Sequence, residues 1–227
     1  MCANKMQDLV FFFDVDNTLL DNDRVKADMK AQLLEVLGPE GSARFWELYE
    51  AVRKETGVVS YPVTIKRFED DWPDKVAAYR AANVVNGMPY EEYVYPGTLA
   101  VLARVSGMGD VAVLSDGDPE YQPQKIARAG LASIVGHDDV LVFVDKQEHL
   151  LALMQQLPAR HYVLVDDKES ILANAKTIMG DKLTTVWVQQ GHYAQDPSLY
   201  RDPPPDITLA SIGDMIKLKK SDFMRKG

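Results

Sequence analysis

The sequence predicts an α/β fold, a mostly parallel β-sheet with helices on both faces and with an α-helical domain inserted near the amino terminus. Leu9 to Phe13 form an unbroken apolar run that ends where two acids begin, which is typical of a buried strand. From Val111 onward, short β-branched runs alternate with helical patterns, as they do in parallel sheets. Between these two parts lies a long helical stretch without a strand pattern.

The predicted α/β core begins with this first strand and resumes at residue 95. Thr98 is expected to be the N-cap of a helix that ends at Gly107. Pro203 to Pro205 predict a stiff connector to a terminal strand or turn and a short helix. The other strands are predicted at Val111 to Leu114, Val140 to Val144, Tyr162 to Val165 and Leu183 to Val188, with helices at Pro119 to Ala129, Gln147 to Gln156 and Glu169 to Ile178.

The helical stretch is expected to be an inserted domain. Apolar residues recur at helical spacing up to the stop signal Gly38-Pro39, and a second amphipathic helix is predicted from Ser42 to near Gly57. Further helical segments are predicted from Thr64 to Asn83 and around Tyr90 to Tyr93. Roughly seventy helical residues are too many for a simple crossover between strands. The predicted domains are residues 1–21 with 95–227 for the core and 22–94 for the helical insert.

Length and composition exclude several classes of protein. The chain has 227 residues, of which 46% are hydrophobic and 26% charged, as in a soluble globular protein. Its net charge of -9 argues against nucleic acid as a partner, because a polyanion would be repelled. The one cysteine, Cys2, excludes an intrachain disulfide and fits a cytoplasmic protein. No apolar run approaches the roughly 18 residues of a membrane span, and the basic residues from Lys217 to Lys226 are interpreted as a solvated terminus.

Asp14 and Asp16 follow the first strand directly, at the edge where open α/β sheets bind ligands. One Asp can attack phosphorus and form an aspartyl-phosphate, while the other acts as acid and base. Phosphate and carboxylates repel one another, so such a site needs a divalent cation, and hard oxygen ligands favour Mg²⁺. The alternative is that both acids only form a turn after the strand.

The run Asp14-Val15-Asp16-Asn17-Thr18 resembles motif I (DxDxT) of the haloacid dehalogenase (HAD) superfamily, most of whose members are phosphatases. The resemblance extends over about residues 8 to 188 and includes four motifs in the expected order. It implies a Rossmann-like α/β core with an inserted helical cap domain.

Ser115-Asp116-Gly117 follows the strand Val111 to Leu114 and resembles motif II, which places a hydroxyl at Ser115. A hydroxyl there can donate to a phosphoryl oxygen, and glycine permits close approach of the backbone. The family often has Asn where this chain has Asp116. Outside the family context, Ser-Asp-Gly is an ordinary turn sequence.

A phosphate among carboxylates also needs a fixed cation, for which a lysine point charge is suitable. Lys125 lies in a predicted helix, Lys168 follows an acid pair, and Lys146 follows a strand. Lys146 alone combines a strand-end loop with the position at which the family's motif III lysine usually lies. We therefore predict Lys146 as the site lysine.

Asp166 and Asp167 follow a buried strand and resemble motif IV in its Asp-Asp form. Adjacent acids repel each other, and cation binding relieves that cost. An N-cap for the following helix would explain one Asp but not both. Many relatives carry a further acid where this chain has Ile171 and Leu172. The resemblance therefore implies metal binding by Asp14, by the backbone carbonyl of Asp16, and by Asp166 or Asp167.

The motifs together predict a Mg²⁺-dependent phosphohydrolase that acts on a small phosphorylated metabolite under a helical cap. A phosphomutase or a carbon-halogen hydrolase is an alternative within the superfamily. A non-catalytic phosphate-binding or scaffold protein is an alternative from another class, against which the second acid of motif I argues. The predicted catalytic residues are Asp14 as nucleophile, Asp16 as acid and base, and Ser115 and Lys146 as phosphoryl ligands.

Two further groups of residues carry weaker expectations. The histidines show no metal-ligand spacing and are expected at the surface or in packing, although His192 could line the rim of the site. Aromatic residues of the insert are expected mainly in its own core, with a minority facing the substrate. The histidines are His137, His149, His161 and His192.

Overall fold

A computed structural model gives the fold of the chain and describes residues 6–196, 198 and 200–224. The expectations for Cys2 and for Arg225 and Lys226 in the basic terminus concern residues outside these ranges. The predicted α/β class is confirmed. Six parallel strands form one sheet: β1 (Gln7–Phe13), β2 (Asp110–Asp116), β3 (Val140–Phe143), β4 (Ala159–Asp166), β5 (Leu183–Val188) and β6 (Ile207–Leu209), in the order β3-β2-β1-β4-β5-β6.

The first strand lies inside the sheet, between β2 and β4. Phe13 is level with Val113 of β2 and with Val165 of β4, so the three strands end at one edge. The Asp14 N–H still donates to the Val165 carbonyl at 2.9 Å, which fixes the chain where it leaves the sheet. Residues that follow these strands are therefore brought together by the register of the sheet.

Helices cover both faces of the sheet. Phe11 and Phe13 point into one apolar cluster, and Val10 and Phe12 point into a second cluster on the other face. No helix in the described part of the chain has the length and apolarity needed to cross a membrane. The helices are α1 (Asn22–Thr56), α2 (Tyr61–Asp71), α3 (Lys75–Gly87), α4 (Thr98–Val105), α5 (Tyr121–Arg128), α6 (Ala132–Val135), α7 (Leu150–Gln156), α8 (Glu169–Met179) and α9 (Lys220–Phe223).

Several short segments are 3₁₀ helices instead of α-helices. Two of them, Lys146–His149 after β3 and Tyr193–Gln195 after β5, form part of the loops at the carboxyl edge of the sheet. Their bounds are Tyr90–Tyr93, His137–Asp139, Lys146–His149, Gly180–Lys182, Tyr193–Gln195 and Ile212–Lys217.

The segment between β1 and β2 is helical, as predicted, and α1 to α3 pack against one another. Gly38, with φ 71° and ψ 175°, interrupts α1 with a kink, so the stop signal separates two helical halves. The second half starts after this kink and not at Ser42. Phe45 packs on Phe68 with ring centroids 5.7 Å apart. Apolar residues of these helices and of β1 belong to one continuous cluster, and the division into two domains stays a prediction.

The predicted N-cap at Thr98 is wrong. Gly97 occupies the N-cap position with φ 88°, in the left-handed region that favours glycine. A Cβ on Gly97 would lie 2.8 Å from the Gly213 Cα, so this turn also has no space for a side chain. The Thr98 hydroxyl instead donates to the Leu19 carbonyl at 3.2 Å, which ties the start of α4 to the motif I loop.

Candidate active site

All the sequence-predicted site residues lie at the carboxyl edge of the sheet. Asp14 follows β1, Ser115 lies near the end of β2, and Asp166 is the last residue of β4. Lys146 begins the short helix that follows β3. Four segments far apart in the sequence thus meet at one place, because parallel strands present their carboxyl ends to the same edge.

The side chain of Lys146 lies between two carboxylates. Its Nζ donates to Asp14 Oδ1 at 2.6 Å and to Asp166 Oδ2 at 2.7 Å, and the residue is 1% exposed. Burial lowers the pKa of Lys146, but Asp14, Asp166 and Asp116 offset that effect and keep it above its usual value. Lys146 is therefore a fixed positive charge.

The carboxyl group of Asp14 is less firmly ionised than Lys146 is. Burial raises the pKa of Asp14 to about 7, although the attraction of Lys146 works in the opposite direction. One lysine is shared by Asp14 and Asp166, so neither acid has a counter-charge of its own. A second cation at this place would hold Asp14 in its charged, nucleophilic form.

Among the described residues, no donor reaches the side chain of Asp167, although Lys168 and Lys146 attract it from farther away. Both carboxylate oxygens are buried, and neither has a hydrogen-bond partner among the described residues. Burial, followed by the neighbouring Asp166, raises the pKa of Asp167 well above its usual value. Trp187 Nε1 donates to the Asp167 backbone carbonyl at 2.9 Å and so fixes the backbone but not the carboxylate.

Three carboxylates form a group that fits a divalent cation. Asp14, Asp166 and Asp167 each offer an oxygen, and these atoms lie within 4.8 Å of one another. Oxygen donors of this kind suit a hard cation, and one would satisfy the orphaned Asp167 carboxylate. The family resemblance also implies that the backbone carbonyl of Asp16 is a metal ligand, and that part stays a prediction.

The Asp16 side chain lies apart from these three carboxylates. Lys125 Nζ donates to Asp16 Oδ1 at 2.5 Å and to Asn22 Oδ1 at 2.7 Å, while Gln122 Nε2 donates to Asp16 Oδ2 at 3.3 Å. The Asp16 side chain is 31% exposed and lines a cavity. Both oxygens are thus held in place while the carboxylate stays accessible to a ligand.

The two residues of motif II have different contacts. Ser115 is buried, and its hydroxyl accepts from Gln122 Nε2 at 3.1 Å. Asp116 Oδ1 accepts from the backbone N–H of Lys146 at 2.7 Å. Burial raises the pKa of Asp116, with Lys146 opposing the shift. The acid that stands in place of Asn therefore positions the chain that carries Lys146.

Gln122 is not among the site residues predicted from the sequence, and Lys125 and Lys168 were alternatives to Lys146 there. Lys125 and Lys168 line the same cavity as Asp16, and Lys125 is 4% exposed. Gln122 lies on the first turn of α5, directly above the motif II loop, and Gly117 lets it approach, since a Cβ there would lie 3.1 Å from Gln122. The position of Gln122 shortly after a strand-end loop is the one sequence signal that could have pointed to it. Glutamine belongs to no characteristic motif that would have marked it as a site residue.

The cavity has a volume of about 430 Å³ and lies between the strand-end loops and the helices α1 and α2. Tyr49 and Tyr61 line it from the helical side, in agreement with the expectation that some aromatic residues face this space. His192 also lines it, and its Nδ1 lies 2.7 Å from Asp23 Oδ1. His149 stacks on Phe143 with ring centroids 4.0 Å apart, a packing role.

Comparison with known proteins identifies the family. The family model for haloacid dehalogenase-like hydrolases matches residues 9–173. A structure described as a haloacid dehalogenase-like hydrolase of Burkholderia xenovorans LB400 is 41% identical, with a TM-score of 0.86, and the match covers 95% of this chain and 98% of that chain. No curated protein matches the chain.

More distant structures share the fold. L-2-haloacid dehalogenase from Xanthobacter autotrophicus is 18% identical, and a HAD phosphatase from Thermococcus onnurineus is 21% identical. Both have a TM-score of 0.60; the matches cover 92% and 93% of this chain and 97% of each of theirs. The family model spans most of the sequence, and the four motif segments meet at one edge of the sheet. The chain belongs to the haloacid dehalogenase-like hydrolase family.

Proposed function

We propose that the protein is a Mg²⁺-dependent phosphohydrolase that acts on a small phosphorylated metabolite. The observation that carries this proposal is the Asp167 carboxylate, which is buried without a donor beside Asp14 and Asp166. The group holds three carboxylates and one buried lysine, so a cation is needed to complete it. A site that must receive a phosphoryl dianion has the same need.

The metal would be held by Asp14, Asp166 and Asp167, with the Asp16 backbone carbonyl as the further ligand that the sequence predicts. When bound, Mg²⁺ supplies Lewis-acid shielding of the phosphoryl oxygens. Magnesium is proposed over softer metals because the donors are all hard oxygens.

Asp14 is the nucleophile of the proposed reaction. Lys146 holds Asp14 Oδ1, which leaves Oδ2 for attack on phosphorus. The new bond from Asp14 to phosphorus forms as the bond from phosphorus to the leaving oxygen breaks. Lys146 and the Ser115 hydroxyl would hold the phosphoryl oxygens during this transfer.

Asp16 is the acid and base. It gives a proton to the leaving oxygen in the first step and takes one from water in the second, when water attacks phosphorus and releases Asp14. Lys125 and Gln122 fix its two oxygens, so the acid is oriented before substrate arrives.

The presence of Asp16 favours phosphate-ester chemistry over dehalogenation. A leaving alkoxide needs a proton, whereas a leaving halide needs none. A dehalogenase therefore has no need for an acid held at the cavity wall, and it attacks carbon without a cation to screen a phosphoryl group. The likeness to dehalogenases at 18% identity concerns the fold alone.

A panel of phosphorylated metabolites and aryl phosphates, assayed with Mg²⁺ and with EDTA, tests the proposal. We expect phosphate release that requires Mg²⁺ and that is lost in Asp14→Asn. The same samples are tested on a 2-haloacid. Halide release that survives EDTA would reject the assignment, and a folded, Mg²⁺-binding protein that releases no phosphate would point to a binding function.

A further inference from the structure

The helical wall of the cavity carries two cations that the proposed chemistry does not use. Lys26 lies in the first half of α1 and Arg53 in the second half, and both line the cavity. The kink at Gly38 separates the two halves. Lys26 and Arg53 both approach Glu50, which shows that the halves lie side by side at this place.

These two cations are weakly neutralised. Glu50 is the one described carboxylate within 4.0 Å of either, at 3.9 Å from Lys26 Nζ and 3.5 Å from an Arg53 nitrogen. Glu50 does not line the cavity, and its side chain is 56% exposed. Two positive charges thus share one distant, solvated carboxylate, and such pairs contribute little.

Lys26 is nevertheless held in position. Its Nζ lies 4.8 Å from the ring centroid of Tyr49 and 5.7 Å from that of Trp46. Burial lowers the pKa of Lys26, and Glu50 only partly opposes the shift. The ammonium group therefore stays partly exposed to solvent and has no carboxylate closer than 3.9 Å, so an anionic ligand can reach it and pair with it.

The acids that line the cavity already have donors of their own. Lys125 holds Asp16, the His192 N–H and ring hold Asp23, the Lys146 N–H holds Asp116, and the Gln147 N–H holds Asp145. None of these four acids lies within 4.0 Å of Lys26 or Arg53, although Asp23 attracts Lys26 from farther away. The cavity thus meets the strand-end loops at Asp16 and Asp116 and has a separate positive wall on α1.

We propose that Lys26 and Arg53 bind a second anionic group, a carboxylate or a phosphate, on the leaving-group side of the substrate. This inference rests on the proposed phosphohydrolase function and narrows its substrate class to phosphate monoesters of alcohols that themselves carry an acid. The planar guanidinium of Arg53 can bind either anion through two hydrogen bonds, and Lys26 adds a point charge. Tyr49 and Tyr61 line the space next to this pair.

The test compares matched substrates on the intact protein with Mg²⁺. Ethyl, propyl and butyl phosphate are each compared with counterparts that end in a carboxylate, a phosphate or an ammonium group. We expect kcat/KM for the best anionic ester to exceed that of its neutral counterpart by roughly 10-fold or more, since the anion gains charge-assisted hydrogen bonds that the neutral ester lacks. The ammonium ester is expected to be the poorest.

Variants then locate the effect. Lys26→Met and Arg53→Met should each lower the anionic-to-neutral ratio, and Lys26→Glu should shift preference toward the ammonium ester. Lys54→Met is the matched control, because Lys54 lies beside Arg53 on α1 but does not line the cavity, and it should keep the wild-type ratio. The carboxylate and phosphate series distinguish which anion is bound.

The possible results distinguish a failure of the proposed anion site from a failure of the proposed phosphohydrolase function. Release of phosphate from neutral and anionic esters at equal kcat/KM would overturn this inference and leave the phosphohydrolase in place. No release from any ester, or from p-nitrophenyl phosphate, would overturn the proposed function and this inference with it. The ratio of kcat/KM for anionic and neutral esters, measured on the wild type, tests the inference even where a variant does not fold.

Discussion

Charges are held in opposite ways by two parts of the site: the floor, which is the buried group of Asp14, Lys146 and Asp166 at the strand ends, and the positive wall that Lys26 and Arg53 form on the cavity. On the floor, Lys146 is 1% exposed and lies 2.6 and 2.7 Å from Asp14 and Asp166. On the wall, Lys26 and Arg53 have side chains 43% and 49% exposed and lie 3.9 and 3.5 Å from Glu50. The floor is buried and closely paired, whereas the wall is partly exposed and loosely paired.

This difference indicates a division of work. Short, buried ion pairs fix geometry and are costly to break, which suits the reacting atoms. Long, solvated pairs cost little to break, so a ligand can replace the protein carboxylate. Substitutions on the floor should therefore change turnover and stability, and substitutions on the wall should change the choice of substrate.

The largest effect is expected at the nucleophile. Asp14→Asn should abolish phosphate release, because the amide cannot form the bond to phosphorus and the shape of the side chain is otherwise kept. Circular dichroism and thermal unfolding check that the variant folds. Turnover by this variant close to that of the wild type would remove Asp14 from the mechanism.

Asp16→Asn is expected to lower kcat/KM for alkyl phosphates on the order of 10²- to 10⁴-fold, the usual contribution of general acid catalysis. The loss should be smaller for aryl phosphates, whose leaving groups need less protonation, although the second step still needs Asp16 to activate water. Asp181→Asn is the control, because Asp181 lies in the 3₁₀ helix before β5 and does not line the cavity. An equal loss on alkyl and aryl esters would argue against the acid role.

Asp167→Asn should separate metal binding from folding. Without Mg²⁺ the variant is expected to be at least as stable as the wild type, since it replaces a buried carboxyl, whose raised pKa already favours the neutral form, with a neutral amide of the same shape. With Mg²⁺ the order should reverse, because the wild type gains from the metal and the variant gains less. Urea unfolding with and without Mg²⁺ measures both. A variant that Mg²⁺ stabilises as much as the wild type would remove Asp167 from the metal site.

A further effect concerns the pH dependence of stability. The Asp14 carboxyl has a pKa of about 7 in the fold and 3.8 as its ordinary value, so the folded protein binds the proton more tightly than the unfolded chain. The stability that this group contributes is present below about pH 4 and is lost as the pH rises toward 7. Metal-free protein should therefore lose stability over this window, and Asp14→Asn should lose less. A wild-type stability that rises across it, relative to the variant, would contradict the burial argument.

The sheet was largely predictable from the sequence. Leu183 to Val188 is predicted as a strand and is one, because six consecutive buried residues leave a run of apolar, aromatic and β-branched side chains. Because each motif follows a predicted strand, the motifs also indicate which edge of the sheet carries the site. The helix starting near Thr98 was also found, but its cap was not, since the choice of Gly97 depends on contact with Gly213 from a distant segment.

The wall was not predictable in the same way. Lys26 and Arg53 belong to a helical pattern whose charged positions look like an ordinary solvated face, and the kink at Gly38 decides which of them meet. Lys125 also looked like a surface residue, yet it is 4% exposed because α5 begins at the strand ends. Tertiary contacts of this kind leave no local signal in the sequence.

The central claim is that Asp14 attacks phosphorus, and trapping the product of that step tests it most directly. Asp16→Asn should slow the release of an aspartyl-phosphate formed from an aryl phosphate, because the water is no longer activated. The reaction with Mg²⁺ is quenched in acid and reduced with borohydride, and the peptides are examined by mass spectrometry. We expect Asp14 to be converted to homoserine only when substrate and Mg²⁺ are both present. A burst of aryl alcohol with Asp14 unmodified would contradict the account.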